Sequence, residues 1–292
     1  MTALPPSLPI VLIEDAVRQA LKEDLGRAGD ITTNATIAPD ARATAVMASR
    51  ETGIVSGMAL AQTAFRLLDS SIEFSAKVED RNRVSTGDVL AQISGNARAI
   101  LSAERVALNY LMRMCGIATY TASFAEKIAH TKARVCDTRK TVPGHRAFDK
   151  YAVSCGGGSN HRFGLDDAIL IKDNHIAVSG GVAQAVHNAR AYIGHTVKIE
   201  IEVDRLDQMR EALTAKPDII LLDNMTLDQL SEAVAINGEN NGGQAKLEAS
   251  GNVNINTIQA IAETGVDYIS TSKITMAAPT LDVGLDIVID SA

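Results

Sequence analysis

The sequence predicts an α/β protein in two parts: an α+β domain over residues 1–115 and a (β/α) barrel over residues 116–279. Three observations carry this reading. The first part mixes helical and alternating apolar spacing, punctuated by glycines. After residue 133 short apolar strands alternate with amphipathic helical stretches, the rhythm of parallel βα units. No Gly-x-Gly-x-x-Gly follows a strand and opens a helix, so a barrel is preferred to a dinucleotide-binding open sheet.

Leu12–Leu25 has helical apolar spacing and stops at Gly26. Ala43–Ser49, Ile72–Val78 and Val89–Ile93 read as strands, Gly53, Gly57 and Gly87 mark turns, and Ala59–Leu68 is an amphipathic helix. Ala99–Lys132 is helical, with a break expected near Gly116. Leu101, Leu108, Leu111, Met112 and Cys115 form one apolar stripe there, and Arg105 lies close to it. Strands follow at Arg134–Asp137, Ala168–Ile171, Val197–Val203, Asp218–Leu222, Lys246–Ala249 and Tyr268–Ser270. Helices are expected at Phe148–Cys155, Val182–Tyr192, Leu206–Ala215, Leu227–Ile236 and Ile255–Glu263. Asn237–Gln244 reads as a polar, flexible connection, and Leu281–Ile289 as a final amphipathic helix.

At 292 residues, 46% hydrophobic and 22% charged, the chain can bury a sizeable core. The net charge of −7 has the wrong sign for a nucleic-acid binder, and the absence of Trp argues against base-stacking platforms. The charge is uneven. Between Asp137 and Lys172 six Lys/Arg face four Asp/Glu, a local net of +2 in an acidic chain, which suits a small anionic ligand. Cys115, Cys136 and Cys155 are odd in number and lack metal-site spacing, so reduced thiols of a cytoplasmic protein are expected. The first residues lack the basic and apolar regions of a secretory leader, and no apolar run reaches membrane-spanning length.

In a (β/α) barrel the chemistry sits where strands end, and all six strand ends here are polar. The first runs into Asp137-Thr138-Arg139-Lys140, the second into Lys172-Asp-Asn-His175, and the third carries Glu202. The others lead to Asp223-Asn224, Ser250-Gly251-Asn252 and Ser270-Thr271-Ser272-Lys273. Arg139, Lys140, Arg162 and Lys172 are cations suited to carboxylates and phosphates. Glu202 and Asp223 are hard oxygen donors suited to Mg²⁺ held partly by substrate phosphates. Ser250-Gly251 and Thr271-Ser272 have the composition of a phosphate-binding nest. Gly156-Gly-Gly158 ahead of Asn160-His161-Arg162 is a candidate ligand loop, whereas His175 is expected to cap a loop.

These segments resemble quinolinate phosphoribosyltransferases. Glu104-Arg-Val-Ala-Leu-Asn109 with Gly116-Ile-Ala-Thr119, Asp137-Thr-Arg-Lys-Thr-Val-Pro-Gly144 and Cys155-Gly-Gly-Gly-Ser-Asn-His-Arg162 carry the likeness. So do Leu170-Ile-Lys-Asp-Asn-His175, Leu221-Leu-Asp-Asn-Met225, Leu247-Glu-Ala-Ser-Gly251 and Gly265-Val-Asp-Tyr-Ile-Ser270, in the right order over nearly the whole chain. The resemblance implies a type II phosphoribosyltransferase fold: an α+β sandwich domain, an open barrel of about seven strands, and a last helix within 280–292 returning to the first domain. It implies transfer of phosphoribose from 5-phosphoribosyl 1-pyrophosphate to quinolinate with decarboxylation, aided by Mg²⁺. By the same resemblance Arg139, His161 and Arg162 contact the quinolinate carboxylates, while Lys140 and Lys172 hold quinolinate or phosphate. Glu202 and Asp223 lie near the ribose and metal. A homodimer or larger homo-oligomer would donate Arg105 across its interface, and neither nucleic acid nor membrane is an expected partner. The chain departs from the family at Ser272-Lys-Ile-Thr-Met276, where Gly-Ala-Leu-Thr-His is usual. Alternatives consistent with the residues are a phosphoribosyltransferase for another base, a Schiff-base lyase using Lys140 or Lys172, and a non-catalytic anion binder.

Overall fold

Every second residue of Arg42–Ser49 is buried, because a strand sends successive side chains to opposite faces; Ala43, Ala45, Met47 and Ser49 face the core. The computed structural model describes residues 7–239 and 245–288. In chain order the elements begin with α1 (Ile10–Leu25), α2 (Ile31–Thr36), β1 (Arg42–Ser49), β2 (Gly53–Ile54), α3 (Met58–Leu68), β3 (Glu73–Ala76), β4 (Arg83–Val84), β5 (Val89–Asn96) and α4 (Ala97–Lys127). Then come β6 (Arg134–Cys136), α5 (Arg146–Cys155), β7 (Ile169–Ile171), α6 (Asp173–Ser179), α7 (Val182–Tyr192), β8 (Ile199–Val203), α8 (Leu206–Ala215) and β9 (Ile219–Asp223). The chain continues with α9 (Leu227–Glu239), β10 (Lys246–Ser250), α10 (Ile258–Glu263), β11 (Tyr268–Ser270), α11 (Lys273–Met276) and β12 (Val283–Val288).

Two compact units result. One comprises Met1–Ala122, Ala147–Gly157 and Ala278–Ala292, the other Ser123–Arg146 and Gly158–Ala277. Among the described residues no helix is long and apolar enough to cross a membrane.

The first unit is built on an antiparallel sheet of order β12-β1-β5-β3. Helix α1 buries Ile13, Val17 and Leu21 at four-residue spacing and packs on α3. Asp30 caps α2 by accepting from the Thr33 amide at 2.9 Å. Two expectations fail in this unit, each for a local reason. The predicted final helix is strand β12, antiparallel to β1 from Thr44 opposite Val288 to Ser49 opposite Val283. Leu281, Val283, Leu285 and Ile287 also satisfy a period of two, Gly284 weakens a helix, and the edge of β1 offers unpaired backbone groups. Residues 289–292 lie outside the described residues. The predicted break at Gly116 is absent, since α4 runs unbroken from Ala97 to Lys127. A Cβ at Gly116 would lie 2.0 Å from the Pro279 carbonyl oxygen, so the glycine permits a close backbone approach rather than a kink.

The second unit is a parallel six-stranded sheet of order β6-β11-β10-β9-β8-β7. It stays open, since β6 and β7 pair with β11 and β8 and not with each other. A single parallel bridge joins Cys136 to Ser159 on the free side of β6, a one-residue equivalent of a seventh strand. Helices α7 and α8 match their predicted bounds. Of the expected connection Asn237–Gln244, Asn237–Glu239 ends α9 and residues 240–244 lie outside the described residues. Asn237 is buried, and its amide donates to the Ala245 carbonyl at 2.8 Å and accepts from the Ala245 N–H at 3.3 Å.

Gly116→Ala is expected to lower stability by about 1–3 kcal/mol, because the neighbour in the way is backbone. Urea unfolding of the variant checks this, and an unchanged midpoint would refute the close-approach role.

Candidate active site

The C-terminal ends of the parallel strands surround a cleft of about 770 Å³. Thr138, Arg139, Lys140, His161, Arg162, Lys172, Glu202 and Asp223 line it, together with Ser250, Gly251, Asn252, Thr271, Ser272 and Lys273. The cleft belongs entirely to the second unit. Arg105 is the predicted site residue that does not line it, being exposed on α4 in the first unit.

At the end of β6, Asp137 is fully buried. It accepts from the His161 amide at 2.9 Å and from the Asn160 side-chain amide at 2.6 Å, fixing the loop that carries His161 and Arg162. Arg146 steadies the neighbouring loop. Its guanidinium donates to the Arg139 carbonyl at 3.3 Å, the Phe163 carbonyl at 3.1 Å and the Thr141 hydroxyl at 3.1 Å. After β7 the Lys172 amide donates to His175 Nδ1 at 3.0 Å, so His175 caps the start of helix α6 rather than the loop expected there. On β8, Glu200 and Glu202 are two apart and share a face; Glu202 forms an ion pair with the Lys172 ammonium. At the end of β9, Asp223 accepts from the Asn224 side-chain amide at 2.7 Å. Asn224, Gly251 and Asn252 all adopt positive φ, and a Cβ at Gly251 would fall 2.1 Å from Asn224 Oδ1. Past β11, Thr275 donates to the Lys140 carbonyl at 2.9 Å and ties two of the cleft loops together.

The electrostatics are lopsided. The Arg162 guanidinium is held below its usual pKa range, first by burial and then by the like charge of Arg139. Two close cations whose charge is under-compensated favour an anion between them. Deeper down, His161 Nε2 lies 2.7 Å from Glu200 Oε2 and 3.8 Å from Glu248 Oε1. Glu200 and Glu248 are 4% and 3% exposed, so they sit on a dry floor. Burial, and then the charge of Glu200, push the Glu248 carboxyl up to about 7.

Two family models match the chain: the quinolinate phosphoribosyl transferase N-terminal domain over residues 30–115 and the C-terminal domain over residues 117–286. The chain belongs to the quinolinate phosphoribosyl transferase family. It is 40% identical over 288 residues to a probable carboxylating nicotinate-nucleotide pyrophosphorylase of Synechocystis, covering 99% of this chain and 96% of that one. A Bacillus subtilis protein of the same description is 39% identical over 269 residues, covering 92% and 91%. The nicotinate-nucleotide pyrophosphorylase structure from Francisella tularensis superposes with a TM-score of 0.92 at 40% identity, covering 97% of this chain and 98% of that one.

Within this quinolinate phosphoribosyl transferase fold, Asp137, Arg146, Glu200 and Glu248 take places at the cleft that their sequence context alone does not reveal. The strand period held part of the signal. Glu200 shares a face with Glu202, and Glu248 with Ser250, so both had to point where the recognised residues point. Nothing in the sequence marked Arg146, because two of its three acceptors are backbone carbonyls, which any residue type supplies.

Arg146→Ala should raise KM for the anionic substrate about tenfold through a loosened Arg139 loop, as expected when hydrogen bonds worth about 1–1.5 kcal/mol are lost. Steady-state kinetics against each substrate separately would test this, and an unaltered KM would rule the clamp out.

Proposed function

We propose that this chain transfers the 5-phosphoribosyl group of 5-phosphoribosyl 1-pyrophosphate to quinolinate, releasing pyrophosphate and CO₂ and forming nicotinate mononucleotide. The observation that carries this reading is the meeting of Arg139, Arg162 and His161 on a cleft also lined by Lys140, Lys172, Glu202 and Asp223. A ring with two carboxylates needs several cations at one end. A sugar centre that becomes positive needs carboxylates at the other.

Arg139, Arg162 and His161 bind the carboxylates of quinolinate, with the guanidinium fork matching carboxylate geometry. The ring nitrogen, which carries its own lone pair, attacks the anomeric carbon and needs no base. Lys140 and Lys172 hold phosphate oxygens, and the fixed cationic geometry lowers the barrier by positioning and charge. Following Ser250, both Gly251 and Asn252 turn with left-handed backbone at the cleft, which suits N–H groups to a phosphate; Thr271, Ser272 and Lys273 line the adjoining wall.

Mg²⁺ is proposed to be held by Glu202 and Asp223 together with substrate phosphates. Both side chains offer oxygen alone, as Mg²⁺ prefers, whereas His161, Glu200 and Glu248 combine an imidazole with two deeply buried carboxylates. When bound, the ion neutralises charge on the leaving pyrophosphate. A homodimer is proposed on the exposure of Arg105, which would complete the cleft of a second copy. A cytosolic location is supported by three free, buried cysteines. A Schiff-base lyase is disfavoured, since Lys172 is nearly half exposed and already paired with Glu202.

Quinolinate, 5-phosphoribosyl 1-pyrophosphate and Mg²⁺ mixed with the protein should yield nicotinate mononucleotide and CO₂ in equal amounts. Arg139→Ala should cut kcat/KM for quinolinate on the order of 10²-fold, as loss of a charge-assisted bidentate contact implies. Near-normal turnover by that variant would sink the assignment of Arg139, and absence of product from the unaltered protein would sink the reaction.

A further inference from the structure

We propose that Glu248, acting with His161, supplies the proton for the ring carbon that loses CO₂, and that the cleft takes up this proton as the dicarboxylate enters. The inference rests on the quinolinate reading of the cleft.

Glu248 sits on β10 and lines the cleft while remaining 3% exposed. On β9 the apolar Leu221 stands opposite it, while the strands beyond and beside contribute titratable or polar groups. Glu200 faces it from β8, Cys136 and Asp137 from the end of β6, Ser270 from β11, and His161 from the loop after Ser159. Glu200 Oε2 holds His161 Nε2 at 2.7 Å, and Glu248 Oε1 approaches the same nitrogen at 3.8 Å. Glu200 Oε1 and Glu248 Oε1 are buried with no hydrogen-bond partner. Asp137, by contrast, has N–H donors on both oxygens.

Two carboxyl groups, Glu200 and Glu248, thus flank the His161 imidazole on a dry floor, with Asp137 bonded to the His161 backbone amide beside them. Even an imidazolium leaves the group net negative if all three carboxyls are ionised, and a ligand with two more carboxylates must settle above it. Charge in such surroundings is relieved most cheaply by a proton. Glu248 is the group ready to take one, since burial first and Glu200 second have brought its carboxyl up to about 7. An arriving dianion pushes it further in the same direction.

The chemistry then needs that proton. A bond forms between the ring nitrogen and the anomeric carbon, and pyrophosphate leaves with the electrons of the carbon–oxygen bond. The bond from ring carbon 2 to its carboxylate breaks next. CO₂ departs and the electron pair stays on carbon 2, beside the now positive nitrogen. That pair forms a C–H bond with a proton of the His161–Glu248 pair, leaving Glu248 as a carboxylate, which solvent reprotonates. Atoms and charge balance without oxidant or reductant. Arginine holds its proton too tightly for this step, and Lys140 and Lys172 are the cations assigned to phosphate oxygens.

Calorimetry of quinolinate binding to the full chain, without phosphoribosyl pyrophosphate and in buffers of different ionisation enthalpy, counts protons directly. The unaltered protein should take up roughly half to one proton per site between pH 7 and 8, and little near pH 6, where Glu248 already carries it. Its kcat/KM for quinolinate should fall about tenfold per pH unit above about 7, as a required proton is lost from the free enzyme. Glu248→Gln should keep quinolinate binding, lose the uptake and the alkaline limb, and lower kcat on the order of 10²-fold. Zero uptake by the unaltered protein with a flat pH profile overturns the proposal even if the variant does not fold, and so does uptake that survives in Glu248→Gln. A transition-metal ion held by His161, Glu200 and Glu248 would keep those carboxylates ionised and also give zero uptake. If nicotinate mononucleotide still forms in those cases, the reaction stands and this proton source falls; if none forms, the reaction itself falls.

Discussion

Asp137 buries its carboxyl group in the interior with N–H donors on both oxygens, and the shape of the cleft follows from that arrangement. A buried carboxylate is tolerable only when its lone pairs are occupied, so the Asn160 side chain and the His161 amide have no free choice of position. The sheet is open beside β6, and the chain comes back to that edge through the single bridge at Ser159. Along β6 itself the segment bearing His161 and Arg162 is joined through the backbone bonds of Ser159 and through the Asp137 carboxyl. Both side chains stand on the lining, and Arg162 spans further to donate to the Ala168 carbonyl at 3.1 Å just before β7. One carboxylate therefore organises the side of the cleft where the sheet itself cannot.

Parallel strands do the rest. All six end on the same side, and their period of two sends alternate residues to one face. Glu200 and Glu202 are stacked along β8, and Glu248 and Ser250 along β10, with the deeper member of each pair on the floor. The result is a vertical sorting of charge. Cations and hydroxyls occupy the open rim, where solvent moderates their cost, and two buried glutamates lie beneath, the carboxyl of Glu248 raised by desolvation. The same burial acts on the thiols. Cys136, under the floor, is pushed well above the ordinary thiol range first by desolvation and then by Glu248, and Cys115 is pushed up to about 12, so neither is a ready nucleophile.

Much of this was legible in the residues, and the part that was not has a common cause. Helices α7 and α8 were found to the residue because each has a clear apolar stripe and a terminating signal. The six strand ends could be read as one site because a barrel places them together whatever their sequence separation. The tail was misread because Leu281, Val283, Leu285 and Ile287 fit two periods, and the free edge of β1 decided between them. Gly116 was misread because its reason is the Pro279 carbonyl, far along the chain. Glu200 and Glu248 were passed over because a glutamate in an apolar strand looks alike whether it meets solvent, a cation or another glutamate. Period shows direction; only the packed neighbours show charge.

The departure at Ser272–Met276 can be judged on the same terms. Ser272 adopts φ −78° and ψ −10°, ordinary right-handed backbone, so the glycine usual in the family is not required here. Thr275, the residue in common, is 1% exposed and donates to the Lys140 carbonyl, so the join between the loops after β11 and β6 is retained. Met276 replaces the usual histidine and points a hydrophobic side chain outward, 56% exposed, adding no donor. The replacement that carries charge is Lys273. It lines the cleft, and its amide donates to the Thr271 hydroxyl at 3.2 Å, placing an ammonium on the wall where a phosphate is expected. The loop after β11 thus brings a cation on α11 to the cleft lining, while the Thr275 bond that ties it to the Lys140 loop is kept.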